Sequence, residues 1–417
     1  MVKVLCAAVA AALAASAAHA QLKVGLTLSL TGPAASLGIP EKNTVDLMPK
    51  KIGGLDVTYV VLDDASDTTK AVTNTKKLIT EDKVDVIVGS TTTPNAMAMI
   101  DVVAEGETPN ISLGGSARIV DIANPKTRWV FKVSQHDSLM ADAIAVHAKA
   151  AGIKTMGFIG YNDAYGEGWL VEMKRSAETA GIKLDPIERF NRTDASTTGQ
   201  TLKLISAKPD AILIVGSGTP AATPHKELVA RGYKGRLYQT HGVGNSDFLR
   251  VVGKDGNGAF LPAGPMLAYE QLPDSNPIKK VAKDYITQYE AKFGPRTTFG
   301  GHAWDSYLVL DKAVPVALKS GAKPGTKEFR AALRNALENT KEVVGVHGVF
   351  NMSATEHNGL DNRGRTRTAS GRWRRNNVGL ASLMMGRSGI PVRPFFEVRR
   401  LSRALSEYPS PLPTAES

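Results

Sequence analysis

Asp85-Val-Ile-Val-Gly89-Ser-Thr-Thr-Thr-Pro-Asn95 is an apolar β-branched run that stops at a glycine. Four hydroxyl residues then lead into the apolar segment Ala96 to Val103. The pattern predicts a buried strand, a tight turn and a helix start. In an open α/β sheet the crevice beyond the carboxyl ends of the strands is where ligands sit. The free N–H groups of a helix start and the hydroxyls of Ser90, Thr91, Thr92 and Thr93 would there face one small anion. A single Ser or Thr at such a place is commonly an N-cap and nothing more. Four in a row exceed what a cap needs.

The chain around this stretch alternates strands and helices. Lys23–Leu28 and Val57–Leu62 read as strands, with helices expected near Lys42 to Lys50, Thr68 to Glu81 and Ala96 to Glu105. A second series begins after Val133, with strands at 155–159, 182–187, 211–215 and 237–240 and helices between them. Val281–Phe293, Trp304–Lys319 and Thr326–Leu337 read as covering helices. Repeated βα units imply parallel sheets with right-handed crossovers, and two series imply two lobes.

The opening residues have export character. Lys3 precedes an Ala-rich apolar run, and Ala18-His19-Ala20 fits a small-x-small cleavage site before Gln21, so 1–20 is expected to be a signal peptide. The run is too short for a stable membrane span. Cys6, the one cysteine of the chain, lies inside it, so the mature protein would have no disulfide and no thiol chemistry. The formal charge of +11 invites a nucleic-acid reading, but its distribution argues against one. Residues 361–417 hold eleven Arg, no Lys and four acidic residues, whereas 21–360 hold 39 basic and 36 acidic residues, only +3. No cofactor is expected: no Gly-x-Gly-x-x-Gly follows the first strand and no Walker lysine loop occurs. No Gly-x-Ser-x-Gly elbow or His-Glu-x-x-His pattern appears, so the chain does not read as an enzyme or a metal protein.

Gln21-Leu-Lys-Val-Gly-Leu, Thr31-Gly-Pro, Asp63-Asp-Ala, Ile87-Val-Gly-Ser, Asn162-Asp-Ala-Tyr-Gly and Phe350-Asn-Met-Ser occur in the order found in one family. They resemble the periplasmic substrate-binding proteins of branched-chain amino acid ABC importers, the Leu/Ile/Val-binding type, over about 22–361. The resemblance implies an α/β fold of two doubly wound parallel-sheet lobes (the type I periplasmic binding protein fold), a three-crossing hinge and a ligand cleft between the lobes. It places lobe one at 22–133 plus 265–347 and lobe two at 134–262 plus 348–361. The crossings would fall near Phe131 to His136, Leu261 to Met266 and Gly348 to Asn351. It implies a monomer that captures a small carboxylate and hands it to membrane permease subunits of an ABC importer. An extracytoplasmic sensor of the same fold is the alternative.

The family's ligand positions fall on Ser36 and Leu37 at the rim, on Ser90, Thr91 and Thr92 as the carboxylate loop, and on Gly114 and Ser116 in the next βα loop. Tyr165 matches the tyrosine that closes over the ligand from the second lobe. Gly218 and Thr219 lie at another strand end, where the family often places an aromatic residue. His241 stands where the family motif has an acidic partner for the ligand's ammonium group. An imidazole cannot replace a carboxylate there, and burying an unpaired ammonium is costly. That leaves Asp163 or Glu167 to supply the charge, and otherwise favours a carboxylate without an ammonium. In residues 362–417 the apolar alternation of a closing strand gives way to Arg363-Gly-Arg-Thr-Arg-Thr, which predicts a disordered or frame-shifted tail and a bare edge on lobe two.

Overall fold

The computed structural model describes residues 21–360 and the strand 395–397. The expected signal peptide and, apart from that strand, the residues from 361 onward lie outside the described residues. The first series comprises β1 (Gln21–Leu28), α1 (Ala35–Val45), β2 (Lys51–Ile52), β3 (Leu55–Asp63), α2 (Thr68–Thr80), β4 (Val86–Gly89), α3 (Thr93–Glu105), β5 (Asn110–Ser112) and β6 (Val130–Lys132). Its sheet order is β2-β3-β1-β4-β5-β6, parallel except for the short β2.

The second series comprises α4 (Asp137–Ala150), β7 (Thr155–Tyr161), α5 (Ala164–Ala180), β8 (Lys183–Phe190), α6 (Thr198–Ser206), β9 (Ala211–Val215), α7 (Ala222–Ala230), β10 (Arg236–Gln239), α8 (Ser246–Val252) and β11 (Phe260–Pro262). These strands run parallel in the order β11-β10-β9-β7-β8. After them come α9 (Pro277–Phe293), α10 (Thr298–Leu318), α11 (Lys327–Glu338) and the ribbon β12 (Val343–Val344) with β13 (Val349–Phe350). β4 and β9 are buried along their whole length, as helix-covered parallel strands require. α10 packs along α1, and α11 along α10. Among the described residues no helix is long and apolar enough to cross a membrane.

Three expectations are corrected. The first helix begins at Ala35 rather than near Lys42 and runs through Gly38 and Pro40. A Cβ on Gly38 would lie 2.1 Å from Ser29 O, so glycine lets this helix rest directly on the end of β1. Tertiary contact thus overrides a sequence that locally reads as loop. The segment 348–360, expected in lobe two, lies against β6 of the first sheet: Lys132 N donates to His357 O, and the His357 ring stacks on Phe131 at 4.5 Å. The edge of the second sheet is not bare either, because β14 (Phe395–Glu397) pairs antiparallel with β11.

Residues of the three expected hinge crossings nevertheless meet at one point. A Cβ on Gly264 would lie 2.4 Å from Gln135 Nε2 and 2.6 Å from His347 Cδ2. Each of these residues lies in or beside one of the expected hinge crossings. His302 Nε2 is in turn 3.2 Å from Gln135 Oε1.

Candidate ligand site

The carboxyl ends of the strands of both sheets converge on one narrow cavity. Thr91, Thr92 and Thr93 line it from the turn after β4, Leu37 from α1 and Leu113 and Gly115 from the loop after β5. Tyr165, Arg192, Ser217, His241 and Gly242 face them from the second sheet, and Phe299 and His302 close the cavity from the start of α10. Its free space is about that of one water molecule, so the two lobes must part to admit any larger ligand.

The hydroxyl loop divides its work. Ser90 does not line the cavity: its Oγ donates to Asp64 Oδ2 at 2.6 Å, which corrects its expected place in the carboxylate cradle. Asp64 also accepts from Ser29 Oγ at 2.8 Å and is fully buried, so its claim on Ser90 satisfies a charge that would otherwise be stranded. Thr91 Oγ1 accepts from Ser29 N at 3.0 Å and is hydrogen-bonded to the buried Glu41. Thr92 is the N-cap of α3 in backbone conformation, yet its side chain makes no capping bond, and it lines the cavity. Thr93 Oγ1 accepts from Ser116 N at 3.3 Å.

From the second lobe, Asp163 caps α5 by accepting from Tyr165 N at 2.8 Å and Gly166 N at 3.1 Å. The cap sets Tyr165 over the cleft, where its hydroxyl donates to Thr240 Oγ1 at 2.8 Å. Thr240 passes the chain on by donating to Gly216 O at 2.7 Å. His241 follows directly and is 5 % exposed. Burial, and secondarily Lys132 and His347, hold its pKa down to about 3, so the ring is neutral. Its Nδ1 has no partner, and neither has Nδ1 of His302, another imidazole that burial keeps neutral. Gly115 has no side chain where a Cβ would meet His241 Nε2 at 3.3 Å and the Tyr165 ring at 3.5 Å.

Arg192, which the motif reading missed, is the cation of the cavity. It stacks over Tyr161 at 4.1 Å, its Nε donates to Asp163 Oδ2 at 2.7 Å and its Nη1 to Ser217 Oγ at 3.1 Å. A guanidinium has five N–H donors, so some remain for a ligand. The available signal was position: Arg192 follows β8, beyond the carboxyl end of a strand. Phe299 and His302 were missed because the start of α10 is far from every βα loop in sequence.

Ser36 and Leu37 touch the opposite lobe, since a Cβ on Gly218 would lie 2.6 Å from both Ser36 Oγ and Leu37 Cδ1. Ser116 is buried behind the rim, within 3.1 Å of a Cβ position on Gly168. Gly114 and Thr219 do not line the cavity. Neither substitute for an ammonium partner is free: Asp163 is bound to Arg192, and Glu167 pairs with Arg189 on the exposed surface. Among the described residues no group of His, Cys, Asp and Glu could hold a metal ion.

This architecture is shared. TM-score 0.79 relates the chain to an extracellular ligand-binding receptor from Rhodopseudomonas palustris HaA2, at 44 % identity over 82 % of this chain and 95 % of that one. Leu/Ile/Val-binding protein BraC3 of Rhizobium johnstonii is 26 % identical over 82 % of this chain and 90 % of its own length. A leucine-, isoleucine-, valine-, threonine- and alanine-binding protein of Pseudomonas aeruginosa is 24 % identical over 74 % of this chain and 82 % of its own length. Residues 21–368 match the family described as periplasmic binding protein. The chain therefore belongs to the periplasmic binding protein family and has the type I fold of two parallel-sheet lobes.

Proposed function

We propose that the protein is an exported solute-binding protein that captures a small carboxylate lacking an ammonium group and delivers it to an ABC importer. One observation carries the reading: the cavity is lined by a guanidinium, hydroxyls and neutral imidazoles, and by no Asp or Glu side chain. An anion finds donors from Arg192 and from Thr92 beside the start of α3. An ammonium finds no counter-charge at the cavity wall, since Asp163 and Glu167 are held by arginines. Leu37, Leu113, Phe299 and the Tyr165 ring supply an apolar wall for a branched or aromatic body. The relatives named for leucine, isoleucine and valine suggest a ligand body of that size.

Melting temperatures of residues 21–417 against short branched carboxylates, benzoates and free amino acids test the proposal. A carboxylate at a hundred times its dissociation constant should add about 2.7 kcal/mol of stability. Leucine should add none. Failure of every carboxylate to raise the melting temperature, or tight binding of leucine, overturns the ligand class. Delivery is tested by uptake of the identified acid, which should cease when the gene is deleted.

A further inference from the structure

We infer that Glu41 is a positioning residue: it keeps its proton and donates it to Thr91, which turns the Thr91 hydroxyl into a donor toward the ligand's carboxylate. The inference rests on the carboxylate reading above and explains how the hydroxyl loop serves it. Thr91 lines the cavity, yet its single oxygen already has two protein partners, Ser29 N at 3.0 Å and Glu41 Oε2. A hydroxyl has one hydrogen and two acceptor sites. If Glu41 is ionised, Thr91 must spend its hydrogen on Glu41 and shows a ligand only a lone pair. If Glu41 is protonated, its O–H donates to Thr91, Ser29 N–H fills the other acceptor site, and the Thr91 hydrogen is free for the ligand.

The surroundings favour the protonated form. Glu41 is completely buried, and its Oε1 has no hydrogen-bond partner. Burial raises its pKa well above the ordinary carboxyl value, the Thr91 bond opposes the rise, and the nearby Asp64 adds to it. The charged group that acts on Glu41 is the carboxyl of Asp64, which raises the pKa further, and no cation offsets it. Asp64 is already satisfied by Ser29 and Ser90. The two acids thus divide the loop: Asp64 fixes Ser90, and Glu41 aims Thr91.

The test uses the full mature chain with isocaproate (leucine without its ammonium group) and benzoate as probes. Infrared difference spectra of wild type against Glu41→Gln at neutral pH should show a protonated-carboxyl band that the variant lacks. By calorimetry, wild-type affinity should fall by about tenfold per pH unit above the Glu41 pKa, with proton uptake on binding. Glu41→Gln, whose amide N–H donates to Thr91 in the same way, should keep the affinity and lose the pH dependence. Thr91→Val should lose at least about tenfold in affinity with the fold intact. Absence of the band, or an unchanged pH profile in Glu41→Gln, overturns the positioning role while leaving the carboxylate reading in place. Binding of leucine but of neither probe overturns the ammonium-free reading of the ligand.

Discussion

Arg192 is joined to Asp163 by an ion pair and to Tyr161 by stacking, so its charge is fixed in place before a ligand arrives. Replacing it with Met should weaken carboxylate binding by about 1.5–3 kcal/mol, the cost of a lost hydrogen bond to a charged group. Arg192→Lys should restore only part, because an ammonium lacks the planar fork. Calorimetry with the identified acid checks both, and an unchanged affinity in Arg192→Met would remove Arg192 from the site. His241 leads to a pH prediction. Its folded pKa of about 3 lies below that of an exposed imidazole, so between the two values the unfolded chain binds a proton that the folded chain refuses. Stability contributed by the neutral ring is therefore present above about pH 6.5 and lost as the pH falls toward the folded pKa, at up to about 1.4 kcal/mol per unit. Urea midpoints at about pH 5 and about pH 7 should differ less in His241→Asn than in the wild type.

The elements show what was legible in the sequence. β4 and β9 were readable because buried parallel strands are apolar throughout. α1 was not, since it has no capping side chain at its start and contains Gly38 and Pro40. Its cause is long-range, in the contact of Gly38 with Ser29. The site divides in the same way. Thr91 and Thr92 could be named because they follow a strand, and Tyr165 and His241 through the family resemblance, whereas the capture of Ser90 by Asp64 joins residues 26 positions apart and leaves no local trace. Helix α5 offers a test of how an element positions a ligand residue. A Cβ on Gly166 would lie 1.8 Å from Tyr161 O, so the helix start rests directly on the end of β7. Gly166→Ala must push the two apart, at a cost of about 1–3 kcal/mol, and carry Tyr165 off Thr240. Melting temperature and affinity should fall together; a variant as stable and as tight-binding as wild type would show that this contact does not place Tyr165.

At the scale of the molecule the open question is how far the Arg-rich end belongs to the fold. The match to the family ends at residue 368, yet β14 further on pairs with β11 through three residues. Magnitudes decide what that pairing is worth. Each net backbone hydrogen bond contributes about 0.5–1.5 kcal/mol, while ordering each residue costs about 1–2 kcal/mol. Bringing residues 395–397 back to β11, more than thirty positions after residue 360, adds a further entropic cost. The pairing therefore shields the β11 edge without adding appreciable stability. A chain ending at residue 368 should keep its denaturation midpoint to within about 1 kcal/mol and bind the same acid with the same affinity, because every cavity residue lies before His347. What it should lose is solubility at high concentration, since the uncovered edge of β11 can pair with another chain. A loss of several kcal/mol, or of ligand affinity, would show instead that the last fifty residues are part of the folded body.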